Sequence, residues 1–132
     1  MGRSRKGGAV KGGWWRRFAC AGRGLGQVLW EEPSGRVHAV AVPLVGALGM
    51  WAELGRAEWA MLALAAGGVI AAEALNTAVE RLADRISLEQ EEALRVVKDM
   101  AAGGVLAASV AAAAAGAALL GPACWAKLAG AG

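Results

Sequence analysis

Apolar positions dominate this chain in three stretches, and polar positions are gathered between them. Val37 to Ala52 carries one titratable residue, His38. Trp59 to Val79 carries one charge, Glu73, and Met100 to Ala126 carries none. A bilayer crossing needs ~20 apolar residues, with a range of about 17–25. The third stretch is long enough alone, the second fits, and the first is short unless it tilts or its ends snorkel. The pattern predicts an all-α membrane protein with three transmembrane helices, at about 37–55, 57–85 and 95–122. Before them, Trp14, Phe18, Ala21, Leu25 and Val28 recur at steps of four and three, while Arg16, Arg23 and Gln27 take another face. That spacing predicts an amphipathic surface helix over 14–31. Residues 1–13 are basic and glycine-rich, with no apolar h-region behind them, and are expected to be a flexible tail rather than a signal peptide. Residues 14–132 then form one membrane domain.

Composition sharpens this picture. Hydrophobic residues make up 57% of the 132 positions, and there are 20 glycines besides. A soluble domain of this length has no core large enough to hide so much apolar surface. The net charge of +3 gives no reason to expect a nucleic-acid partner. Two cysteines, Cys20 and Cys124, make no metal or disulfide pattern.

Cations set an orientation. Eight Lys and Arg precede the first stretch and four lie between the second and third: Arg81, Arg85, Arg95 and Lys98. Arg56 and Lys127 are the only ones on the other side. The N-terminus and the 81–98 loop are therefore expected in the cytoplasm. Trp51, Trp59 and Trp125 then fall at the outer interface, as an aromatic belt would.

The chemistry is concentrated in one segment. At ~100° per residue, Glu73, Asn76, Thr77, Glu80 and Asp84 share a sector of about 100° on one helix. Glu73 is the deepest of them. An ionisable group inside a span is costly and marks a functional site. A carboxylate in a low-dielectric medium suits a general base. Stacked carboxylates repel unless a cation lies between them, and Mg²⁺ takes a few such oxygens together with water and phosphate. Lys98 faces the group either as an ion-pair partner or as a phosphate contact. Glu31, Glu32, Arg36 and His38 form a further cluster ahead of the first span, where the lone histidine reads as an interfacial residue. There is no G-x-x-x-x-G-K-[ST] loop and no His/Cys zinc cluster.

The run Glu73-x-x-Asn76-Thr77-Ala78-x-Glu80-x-x-x-Asp84, with Lys98-Asp99 fourteen residues on, resembles the bacterial integral-membrane diacylglycerol kinase and undecaprenol kinase family. Phe18, Ala21, Gly24-Leu25, and Glu32 with Arg36 and His38 also fit, so the likeness extends from about Arg17 to Val110. The resemblance implies a homotrimer in the bacterial cell membrane, with active sites shared between subunits at the cytoplasmic interface. It implies an ATP-dependent phosphotransferase acting on the alcohol group of a lipid, with Mg²⁺ as cofactor. Carried over by position, Glu73 is the catalytic base and Asn76 its neighbour, and Glu32 and Glu80 hold the metal. Glu32, Glu80, Asp84, Glu89, Gln90, Glu91, Lys98 and Asp99 contact ATP. Glu73, Arg36 and Ala102 face the lipid. A hydrophobic crevice beside the second and third spans takes the lipid tail.

The Glu-x-x-x-Arg-x-His pattern and Lys98-Asp99-Met-Ala-Ala-Gly103 are similar to the undecaprenol-phosphorylating branch. Diacylglycerol is the alternative substrate; the diacylglycerol branch tends to have Ser where Ala102 stands. Residues 87–91 depart from both branches. A reading from a different class is a non-enzymatic small membrane protein whose carboxylate face serves assembly or ion passage.

Overall fold

The computed structural model describes residues 13–86 and 91–130. Every regular element among them is helical: α1 (Trp14–Glu31), α2 (Pro33–Trp51), α3 (Arg56–Ile86) and α4 (Glu92–Leu128). Two of these, α3 and α4, are long and apolar enough to cross a membrane. The shorter α2 carries Arg36, His38, Pro43 and three glycines within its 19 residues, which dilutes its apolar character. A proline inside α2 and another, Pro122, inside α4 interrupt neither helix.

The junction between α1 and α2 follows from two residues. Pro33 disfavours helical geometry at the residue before it, and Glu32 is accordingly extended, at φ −86° and ψ 137°. Pro33 then opens α2, where its missing N–H costs nothing. Gly35 lets the start of α2 press on the end of α1: a Cβ there would collide with the Val28 carbonyl oxygen. Val28 is in turn the one buried residue of α1. Trp14, Phe18 and Leu25, which share its stripe, are left uncovered by the rest of the chain.

The α2–α3 turn is tight. Ala52 and Leu54 donate backbone hydrogen bonds to the carbonyls of Leu48 and Gly49, and Glu53 takes a left-handed φ of 55°. The Trp59 ring lies against Gly49, where a Cβ would come within 3.0 Å of it.

The main packing is the antiparallel pair α3–α4. An ion pair closes each end of it. Lys98 Nζ lies 2.9 Å from Asp84 Oδ1 at the loop end. Lys127 Nζ lies 2.6 Å from Glu53 Oε1 at the other. The Lys127 ammonium holds the Glu53 carboxyl below the usual carboxylate range. From Arg56 to Asp84 a helix climbs ~42 Å, close to the thickness of a bilayer with its headgroups. Trp51, Trp59 and Trp125 all belong to the Glu53–Lys127 end. The helix α4 has no buried residue, and Leu106, Val110 and Trp125 are largely exposed.

Candidate active site

Packing of α2 on α3 builds the site around Glu73. Glu73 lies on the face of α3 that meets α2, together with buried Val69 and Thr77 one turn to either side. Glu73 is 7% exposed, and with Thr77 it is one of two buried polar side chains among the described residues. Both of its oxygens face the first turns of α2. Ser34 Oγ donates a 3.1 Å hydrogen bond to Oε2. His38 Nε2 stands 3.5 Å from Oε1. Ser34 and His38 are one helical turn apart, so they share a face of α2.

The polar face of α3 continues toward the loop. Asn76 Nδ2 donates to Glu80 Oε1 at 2.9 Å. Its own Oδ1 is buried with no hydrogen-bond partner among the described residues. A buried carbonyl oxygen left in this way is a site for a hard cation or a donor. One residue beyond Glu80, Arg81 reaches back to α1 and the junction. Its Nη2 lies 2.9 Å from Glu32 Oε1 and 3.4 Å from Glu31 Oε2. Farther on, Asp84 engages Lys98 as described. Arg95 clamps both Glu92 and Asp99, the latter at 2.7 Å. Arg36 points away from Glu73 and donates through Nε to the Trp30 carbonyl at 3.1 Å.

The sequence-derived residues therefore fall into two groups. Glu73, Asn76, Glu80, Asp84 and Lys98 line one continuous track on α3 and the start of α4. Glu32 joins the site through Arg81. Glu91 is exposed at the cap of α4, and Ala102 is exposed one turn beyond Lys98. Glu89 and Gln90 lie outside the described residues. Among the described residues no three His, Cys, Asp or Glu side chains converge as a metal cage. The oxygens of Glu32, Glu80 and Asn76 are nevertheless the donor type that Mg²⁺ prefers, and this ion commonly uses only one or two carboxylates with phosphate and water.

Ser34, and the partners of His38 and Arg81, escape the reading of the sequence alone. The i, i+4 spacing of Ser34 and His38 is the signal that could place them on one face, but it does not say that Glu73 lies opposite.

His38 is also the head of an apolar cavity of about 650 Å³ between α2, α3 and α4. Val42, Val45, Val69, Leu62 and Gly116 are among its walls, and Ser109 is its one hydroxyl. Its size is that of a small-molecule site, and its lining suits a hydrocarbon.

Comparison with known proteins agrees with this chemistry. Residues 19–120 match the family described as Prokaryotic diacylglycerol kinase. Undecaprenol kinase of Bacillus subtilis (strain 168) is 36% identical over 90 residues, which cover 68% of this chain and 73% of that protein. No solved structure gives a match. A buried carboxylate on α3, the polar track beside it and a match over residues 19–120 place the chain in the prokaryotic diacylglycerol kinase family of lipid phosphotransferases.

Proposed function

We propose that this protein transfers the γ-phosphoryl group of ATP to the hydroxyl of undecaprenol at the cytoplasmic face of a bacterial cell membrane. One observation carries the reading: Glu73 is buried beside His38, and His38 opens an apolar cavity of about 650 Å³. His38, the neighbour of Glu73, thus lines one end of a space suited to a lipid tail. The likeness to an undecaprenol kinase supports this choice of lipid.

Phosphoryl transfer asks the protein mainly to position groups and to offset charge. In this reading Glu73 accepts the proton of the lipid hydroxyl as that oxygen attacks the γ-phosphorus. Ser34 fixes the carboxylate by holding Oε2. Glu32, Glu80 and the unpaired Oδ1 of Asn76 would hold Mg²⁺. Bound Mg²⁺ would offset charge on the β- and γ-phosphates of ATP. Lys98, oriented by Asp84, neutralises further phosphate charge. Glu89, Gln90, Glu91 and Asp99 contribute nucleotide contacts, and Arg36 and Ala102 border the lipid headgroup.

The assembly in this reading is a homotrimer of subunits with three spans each, α2 being the first. The uncovered faces of α4 and α3 favour contact with other copies and with lipid. The uncovered stripe of α1 rests on the headgroup layer.

The test is transfer of labelled γ-phosphate from Mg-ATP by purified protein in lipid micelles, with undecaprenol and diacylglycerol side by side. Label in undecaprenyl phosphate is expected. Label mainly in phosphatidic acid would replace the lipid and keep the site. No label in either, from a folded protein, would overturn the kinase reading.

A further inference from the structure

We infer that His38 is a positioning and relay residue for Glu73, which takes up the proton that Glu73 removes from the lipid alcohol. The inference rests on the kinase reading above and adds a second proton carrier to it.

The argument begins with the pair itself. His38 Nε2 and Glu73 Oε1 are 3.5 Å apart, and a catalytic contact of this length commonly tightens when substrate binds. The second carboxylate oxygen is already taken by the Ser34 hydroxyl. Oε1 is therefore the oxygen free to gain a proton, and it is the one that faces the imidazole. Accessibility gives the exit. The His38 side chain is 21% accessible and that of Glu73 only 9%, so the imidazole is the member of the pair from which a proton reaches water.

Nothing else nearby competes. Among the described residues, Glu73 is the one acidic group within ion-pair distance of His38. On its own helix, Arg36 is turned to the Trp30 carbonyl. From α4 the shared cavity presents Ser109, which does not titrate near neutral pH.

The steps balance. The lipid O–H bond breaks, and its oxygen forms a bond to the γ-phosphorus. The bond from that phosphorus to the β–γ bridging oxygen breaks and leaves ADP. The proton goes to Glu73 Oε1, then to His38 Nε2, and from the imidazolium to water. Glu73 is returned as a carboxylate for the next turnover.

His38 is the chain's one histidine, so its titration can be followed by NMR without assignment. The experiment compares wild type, His38→Gln and His38→Ala in micelles with Mg-ATP and undecaprenol. Gln retains a side-chain N–H toward Glu73 but takes up no further proton at accessible pH. Expected are a fall in kcat on the order of 10²-fold in His38→Gln, an unchanged KM for Mg-ATP, and loss of the acid limb of the kcat profile. Added imidazole is expected to restore part of the turnover of His38→Ala. In wild type, the midpoint of that limb is expected to coincide with the midpoint of the His38 NMR signal.

Wild-type kcat and pH profile in His38→Gln would overturn the relay and leave the kinase reading standing. An inactive but folded wild type would overturn both. If His38→Gln does not fold, wild type alone decides: a limb that departs from the His38 midpoint overturns the relay.

Discussion

Ser34 and Glu73 are 39 positions apart in the chain, and the serine hydroxyl holds the glutamate carboxylate at 3.1 Å. A bond this far apart in sequence fixes α2 against α3. On the proposed function Glu73 then has two duties: accepting from Ser34 is structural, and accepting a proton is chemical.

Glu73→Gln divides those duties. The amide oxygen still accepts from Ser34, so the fold is expected to survive, with helicity and melting temperature close to wild type. The amide cannot act as a base, and kcat is expected to fall on the order of 10³-fold. Labelled phosphate transfer and circular dichroism on the same preparation check both halves. A variant that loses its fold along with its activity would make Glu73 a structural residue.

Gly35→Ala tests the junction of α1 and α2. The added methyl group would collide with the Val28 carbonyl oxygen, which is backbone and has no room to yield. Overpacking of this kind costs about 1–3 kcal/mol. The melting temperature in detergent is expected to drop by several degrees. Activity is expected to fall with it, because Ser34 is the neighbour of Gly35. Thermal unfolding at matched detergent concentration gives the answer.

Gly116→Leu tests the cavity. A Cβ at Gly116 meets no atom within 4 Å, so a leucine can be built there without disturbing the backbone. It would occupy space assigned to the lipid tail. KM for undecaprenol is expected to rise on the order of tenfold, in line with lost apolar burial, with KM for Mg-ATP unchanged. Equal KM for the lipid in both proteins would remove the cavity from the substrate path.

The Glu53–Lys127 pair gives a pH dependence. Lys127 lowers the folded-state pKa of Glu53, so the pair contributes stability above the ordinary carboxylate range. That contribution is lost as pH falls through the lowered value. The difference in melting temperature between wild type and Lys127→Met is expected at pH 7 and is expected to shrink between about pH 5 and pH 2. High salt is expected to shrink it as well, because the pair is exposed.

Periodicity reported what each helix carries. The track from Glu73 through Asn76, Thr77 and Glu80 to Asp84 was visible because 100° per residue stacks those positions on one face. The surface helix was visible for the same reason. The opposing element was not. His38 belongs to a mostly apolar stretch, and only the packing of α2 on α3 turns it toward the carboxylate. Arg81 resembled an ordinary solvated charge at a helix end. Its partner Glu32 lies 49 positions earlier, and a pattern along one helix holds no record of such a distant contact. Lys98 had two open roles, and the structure pairs it with Asp84.

The ion pairs that close the two ends of the α3–α4 hairpin make the protein a caliper. Asp84–Lys98 and Glu53–Lys127 are separated by a rigid length of ~42 Å, and neither pair can be drawn into hydrocarbon without cost. A thinner bilayer forces the hairpin to tilt, and a thicker one must pinch around it. Either distortion would change the height of Glu73 relative to the headgroup layer. On the proposed function, lipid acyl length is then expected to tune turnover, apart from any chemical preference for one alcohol over another.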